Sequence, residues 1–134
     1  MTDNKEKVTK MNVQSYEAQS SEPVPSGLDI LIQLYEGCIS FLGEAAEACE
    51  AGQVENFNDR LLRARRIIEH FQETLDFEQG GPVPNQLNDL YTFMLDALTQ
   101  ADLTHETKYI QQVTDQLVVL LDGWRGAQPT SFDS

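Results

Sequence analysis

The sequence is poor in the side chains and segments that identify most enzymes and membrane proteins. It has two cysteines, two histidines and one tryptophan in 134 residues. No stretch approaches the roughly 20 consecutive apolar residues that span a bilayer, and the first ten residues lack the apolar segment of a signal peptide. These absences disfavour a membrane or secreted protein, and we expect a cytoplasmic one.

Basic residues are also scarce. Lys and Arg total 9 against 22 Asp and Glu, which gives a formal net charge of −13. A negative charge of this size repels the phosphates of nucleic acids and of anionic lipids. We therefore expect no nucleic-acid binding and no membrane insertion, and a partner whose contact surface is basic or apolar.

The two cysteines fall in one predicted helix. Cys38 and Cys49 are 11 residues apart, which is about 16 Å at a rise of 1.5 Å per residue. A disulfide requires the two Cα atoms to lie within about 7 Å of each other. The cysteines therefore cannot bridge each other, and we expect both to be unreactive core residues.

The histidines do not form a metal-binding pattern. A di-metal centre in a four-helix bundle needs two Glu-x-x-His motifs, but the residues three before His70 and His105 are Ile67 and Asp102. No phosphate-binding glycine loop or nucleophile elbow occurs either. A bundle enzyme is disfavoured, and we predict no cofactor and no bound metal.

Apolar residues recur at intervals of three and four, and no segment alternates with period two. This periodicity predicts helices over residues 26–52, 54–77, 85–101 and 104–124. The second helix has a strict heptad seam, formed by Phe57, Leu61, Ala64, Ile68, Phe71 and Leu75. Short connections force neighbouring helices to be antiparallel. The sequence predicts an all-α fold, an antiparallel up-down four-helix bundle with a flexible N-terminal arm.

The ends of the chain differ from this helical body. Residues 1–25 are polar and of mixed charge, which is typical of a flexible arm, and Ser26 is placed to cap the first helix. The bundle domain is predicted over 26–126, and 127–134 is predicted to be a disordered tail.

A glycine and proline cluster separates the second and third helices. We expect Gly80 and Gly81 to end the second helix in the left-handed conformation. Pro82 and Pro84 prevent the helix from continuing, so the third helix is predicted to begin at Asn85.

Several large apolar residues lie beside the seams rather than on them. If seam positions are called a and d, those at g are expected to be the margin of the core: Leu34, Phe41, Ile67 and Phe93. Positions b and c point away from the partner helices and hold Ile30, Leu62, Leu95, Val118 and Val119. These five are either scattered surface residues or the wall of a groove for a partner helix.

Four arginines lie close together on the second helix. They are Arg60, Arg63, Arg65 and Arg66. Acids spaced three or four residues away on the same helix predict intrahelical ion pairs with Glu55, Asp59, Glu69 and Glu73.

Four motifs resemble one known family. They are LYEG at 34–37, RARRIIEHFQETLDFEQGG at 63–81, QLNDLYTFM at 86–94 and LLDGW at 120–124. With these motifs the chain, over roughly residues 11–125, resembles the flagellin-specific export chaperones of the FliS family. It differs from the usual family pattern in EPVPSGLD at 22–29 and in the added prolines of the central turn.

The resemblance implies a non-enzymatic cytoplasmic chaperone. Such a protein binds the C-terminal region of flagellin in apolar surface grooves, prevents its premature polymerisation and assists its delivery to the flagellar type III export apparatus. Tyr16 matches an arm tyrosine that caps the site in the free protein, and an anti-sigma factor is a further partner that the resemblance implies. The alternative is a helical adaptor or regulatory bundle that binds another export or regulatory protein.

Overall fold

The structure, a computed structural model, describes residues 27–128. Four helices occupy most of this range: α1 (Gly27–Glu50), α2 (Val54–Glu73), α3 (Val83–Thr104) and α4 (Thr107–Gly126). Helix α1 packs against α2 and α4, and α3 packs against the same two helices. The predicted all-α four-helix bundle is confirmed. No helix in the described range is long and apolar enough to cross a membrane.

The predicted arm and its cap at Ser26 lie outside the described residues. At the other end, the structure describes two residues that follow α4. The backbone N–H of Ala127 bonds to the carbonyl of Trp124, and Nε2 of Gln128 donates to Oδ1 of Asp29 at 2.8 Å. The end of α4 is therefore attached to the beginning of α1.

The core follows the predicted seams most closely on α2. Of the six seam residues, five are buried and Leu75 is partly buried. Helices α3 and α4 bury residues beyond their predicted seams, namely Tyr91, Leu98 and Leu121. These residues occupy the e position beside the seam, because the apolar stripe of a bundle helix is wider than that of a coiled coil.

The central turn differs from the prediction. Helix α2 ends at Glu73, four residues early, and α3 begins at Val83, two residues early. Oδ1 of Asp76 accepts hydrogen bonds from the backbone N–H groups of Glu78 and Gln79. This local turn competes with the helix, so α2 stops before it.

The glycines and prolines of this turn have different roles from those predicted. Gly80 and Gly81 adopt positive φ angles of 89° and 59°, but they lie within the turn and not at the end of α2. Pro84 lies inside α3, because the first turn of a helix needs no N–H donor. The prediction that α3 begins after Pro84 was therefore wrong.

An aromatic layer crosses the bundle near this turn. It consists of Tyr35 on α1, Phe71 on α2, Tyr91 on α3 and Trp124 on α4. The ring of Phe71 lies 4.5 Å from that of Tyr35 and 5.5 Å from that of Tyr91, measured between centroids. Trp124 meets Tyr35 edge-on at 6.2 Å. The early residues of α1 and α3 thus meet the late residues of α2 and α4, as antiparallel neighbours require.

The hydroxyl groups of Tyr35 and Tyr91 are hydrogen-bonded to each other at 2.5 Å. Both side chains are buried, and burial raises the pKa of each phenol. The bond joins α1 to α3, which are diagonal to each other in the bundle. One hydroxyl donates and the other accepts, so each has a hydrogen-bond partner in an apolar core.

The cysteines behave largely as predicted. Both are free thiols; Cys38 is fully buried, and Cys49 is partly buried at the opposite end of the bundle from the aromatic layer. Burial raises the pKa of Cys38 to about 12, so little reactive thiolate forms near neutral pH. The thiol of Cys49 lies 3.2 Å from the carbonyl oxygen of His105.

Replacing either tyrosine of the pair with Phe tests the hydrogen bond. Tyr35→Phe or Tyr91→Phe leaves one buried hydroxyl unpaired, and we expect each to lower the free energy of unfolding by about 1–3 kcal/mol. The double variant removes both polar groups, so its loss should be smaller than the sum of the two single losses. Urea unfolding followed by circular dichroism measures all three, with Tyr109→Phe as the control. Strictly additive losses would contradict the assignment.

Candidate functional site

Several large apolar side chains are exposed on the outer surface of the bundle. Within the described residues the exposed ones are Val54, Leu62, Phe77, Val83, Phe93, Leu103, Val118 and Val119. They lie on α2, α3, α4 and the turn between α2 and α3, and none of them lies on α1. Contiguous exposed apolar surface marks interaction sites, whereas single exposed apolar residues are common on soluble proteins.

The five predicted b and c residues differ in exposure. Leu62 is 44% exposed, Val118 40% and Val119 70%. Ile30 is partly buried, and Leu95 is partly buried against the core. The outward direction of Leu62 and of the two valines follows from their heptad positions, whereas Leu95 belongs to the margin of the core.

These residues do not share one side of the bundle. Val118 lies one heptad before Arg125, whose Nη2 atom is 2.6 Å from Oε2 of Glu36 on α1, so Val118 lies on the flank of α4 that faces α1. Val119 is rotated by 100° and lies toward the other flank. Leu62 lies where α2 meets α3. Tyr16 lies outside the described residues.

A groove is present between α2 and α3. Its volume is about 410 Å³, and it is lined by Asn58, Leu61, Leu62, Arg65, Thr99 and Asp102. We call it the α2–α3 groove. Leu61 is buried and contributes to the core, while Leu62 is exposed and gives the groove an apolar wall. The polar groups of the lining are one amide, one hydroxyl, one guanidinium and one carboxylate.

Arg65 connects the two helices at one end of the groove. Its Nη2 atom donates to the backbone carbonyl of Leu95 at 3.1 Å and to Oγ1 of Thr99 at 2.7 Å. One heptad further along α2, Nε2 of Gln72 donates to Oγ1 of Thr92 at 2.9 Å. The interface between α2 and α3 is thus fastened by polar side chains on the turn side of the groove.

Of the four acids predicted to form ion pairs with the arginine cluster of α2, only Asp59 does so. Arg60 and Arg63 both lie 3.0 Å from its carboxylate, and Arg60 also reaches Glu44 on α1 at 3.1 Å. Arg65 crosses to α3 instead of pairing within α2, because its e position faces the neighbouring helix. In the described part of the chain no arginine pairs with the other three acids, Glu55, Glu69 and Glu73.

The heptad pattern did not predict the exposure of Phe93. Leu34, Phe41 and Ile67 lie at the margin of the core as expected, but Phe93 is 46% exposed. On α3 the residues buried beside the seam are Tyr91 and Leu98, both at e, which turns the opposite g flank toward solvent. In the sequence, the apolar residues at these two e positions are the signal that indicates how α3 is rotated about its axis.

Within residues 27–128 no three His, Cys, Asp or Glu side chains converge as a metal site. The polar groups of the α2–α3 groove instead suit hydrogen bonds to a peptide, and its leucines suit apolar side chains. The geometry therefore favours recognition of a protein segment.

Comparison with known proteins gives the family. The family described as Flagellar protein FliS matches residues 9–131. The chain belongs to the FliS family. It is 32% identical over 112 residues to the flagellar secretion chaperone FliSB of Pseudomonas aeruginosa, covering 84% of this chain and 87% of that protein. It is 26% identical over 113 residues to the flagellar secretion chaperone FliS of Bacillus subtilis, covering 84% and 83%.

A third FliS relative supports the family, and a solved structure shares the fold. The chain is 30% identical over 101 residues to the flagellar secretion chaperone FliS of Salmonella typhimurium, covering 75% of each chain. A crystal structure of a bacterial flagellar chaperone aligns with a TM-score of 0.72 at 23% identity, covering 88% of this chain and 96% of that chain. That likeness shows a shared fold. The FliS relatives are named as chaperones, a class of proteins that are not enzymes.

The different burial of Leu62 and Leu95 gives a stability test. Leu62→Asp places a charge in water, so we expect the free energy of unfolding to change by no more than about 0.5 kcal/mol. Leu95→Asp places a carboxylate against the core and should lower it by about 2 kcal/mol or more. Gln100→Asp, on the exposed surface of α3, is the control for added charge. Equal losses for the two leucine variants, measured by urea unfolding, would contradict the burial described here.

Proposed function

We propose that this chain is a cytoplasmic export chaperone that binds the C-terminal region of flagellin. It prevents premature polymerisation of flagellin and assists its delivery to the flagellar type III export apparatus. Membership of the FliS family supports a flagellar protein as the partner. The observation that carries the proposal is the exposed apolar surface on three of the four helices of an otherwise complete bundle.

The proposed partner has a matching need. Flagellin termini form amphipathic helices whose apolar faces are buried between subunits in the filament, so a monomer must have those faces covered until export. An amphipathic helix can place its apolar face in a groove of another helical protein. The α2–α3 groove offers Leu62 for such a contact.

The binding surface is proposed to include Ile30, Leu62, Leu95, Val118 and Val119, with Tyr16 from the arm. Since Leu62 and the two valines lie on different flanks, one short helix cannot contact them all. A long segment that wraps around the bundle is the arrangement that would use every one of them. This supports a partner that is extended when free and becomes ordered on binding.

The expected affinity reflects two opposing contributions. Burying an exposed Leu, Val or Phe side chain contributes roughly 1.5–3 kcal/mol. Ordering a flexible segment costs about 2–5 kcal/mol or more, so only part of the apolar gain appears as affinity. The net charge of −13 favours segments with few acids or with basic residues outside the apolar face.

Titration calorimetry with a peptide of the C-terminal flagellin region tests this function. We expect the wild-type protein to bind it, and Leu62→Asp to weaken binding by about tenfold or more because a carboxylate then faces the apolar side of the partner. Ser40→Asp, which adds the same charge on the exposed face of α1, should bind like the wild type. Stoichiometric chaperone should also suppress flagellin polymerisation in light scattering.

Absence of binding by the wild-type protein would refute the proposal. If another export protein or an anti-sigma factor bound instead, the helical adaptor would become the better interpretation. If flagellin bound equally well to wild type and Leu62→Asp, the groove assignment would be wrong while the function remained.

A further inference from the structure

Arg65 differs from the other arginines that make side-chain contacts in the described residues. Arg60, Arg63 and Arg125 each lie within 3.1 Å of a carboxylate oxygen. Arg65 is partly buried and lines the α2–α3 groove, and within residues 27–128 no carboxylate lies at ion-pair distance from it. A protein with 22 acids thus has a partly buried cation in its groove that forms no ion pair with a described residue.

The hydrogen bonds of Arg65 do not use its full capacity. A guanidinium has five N–H donors in a fixed plane. Both bonds made by Arg65 come from Nη2, and both acceptors, the carbonyl of Leu95 and the hydroxyl of Thr99, are neutral. The donors on Nη1 and Nε stay available, and two guanidinium N–H groups match the two oxygens of a carboxylate.

The surroundings of Arg65 give this position its selectivity. Leu62 lies one helical turn earlier on the same wall, and Asp102 lines the groove from α3. Asp102 forms no ion pair with any described residue, so its carboxylate repels an acid placed near it. A carboxylate in the groove is therefore favoured beside Arg65 and disfavoured near Asp102, which fixes the position of an acid relative to an apolar neighbour.

We propose that the α2–α3 groove takes an amphipathic helix in which an apolar residue contacts Leu62 and an Asp or Glu pairs with Arg65. This inference rests on the proposed function, since the helix is taken to be part of the flagellin segment. Elsewhere in the groove, Asp102 repels carboxylates. One favourable position for an acid therefore sets the register of the bound segment, and Arg65 determines its specificity.

Charge reversal at two neighbouring arginines tests the inference. Arg65→Glu should weaken binding of the C-terminal flagellin peptide by about tenfold or more, because a charge-assisted hydrogen bond is lost and a repulsion is added. Arg66→Glu makes the same change one residue away, on an exposed side chain that has no ion pair in the described structure. It should alter binding by less than about twofold. Calorimetry at low and moderate salt measures both.

A second measurement leaves the chaperone unchanged. Each Asp and Glu of the flagellin peptide is replaced in turn by Asn or Gln, and binding to the wild-type protein is measured. We expect one replacement to weaken binding by about tenfold and to have no further effect on Arg65→Glu. This scan tests whether one acid of the peptide is needed for binding, even if Arg65→Glu folds poorly after losing its contacts with α3.

The outcomes separate the two proposals. Equal binding by Arg65→Glu and Arg66→Glu, or a peptide in which no single neutralised acid weakens binding, would overturn the role of Arg65 alone. A wild-type protein that does not bind the peptide would overturn the proposed function, and this inference with it.

Discussion

The buried hydroxyl groups of Tyr35 and Tyr91 are hydrogen-bonded to each other in an apolar core, and this bond constrains the arrangement of the bundle. The Tyr35–Tyr91 bond joins diagonal helices at one height, and the rings of Phe71 and Trp124 pack around it. A sliding of α1 against α3 would separate the hydroxyls and leave both unsatisfied. The aromatic layer therefore holds the register in which α2 and α3 meet, and with it the position of Arg65 opposite Thr99.

The groove is a consequence of how these helices meet. Polar side chains fasten α2 to α3 from Arg65 toward the turn, while Asn58, Leu61 and Leu62 line the space beyond. The core is built without the exposed apolar residues, which leaves them available for a partner. A complete core and exposed apolar side chains are thus combined in one small protein, as the proposed binding of amphipathic helices requires.

Periodicity in the sequence was sufficient for the four helices and for the core side of α2, since a 4-3 spacing of apolar residues has one burial solution in a bundle. It was insufficient at Asp76, where a side chain ends α2 early, and at Pro84, which the first turn of a helix accepts. It also left open which flank of each helix meets which neighbour. For that reason the predictions that Phe93 lies at the core margin and that Arg65 pairs within its own helix were wrong. The outward direction of Leu62 was predicted correctly.

The flagellin segment is proposed to bind on the outside of an intact bundle, in the α2–α3 groove. Titrating the isotope-labelled chaperone with the C-terminal flagellin peptide, and following its amide chemical shifts, tests this most directly. We expect the amide signals of Leu62, Arg65 and Thr99 to shift on binding, while those of Phe71 and Tyr91 in the aromatic layer change little. Shifts centred on the aromatic layer, or none along the groove at saturation, would contradict it.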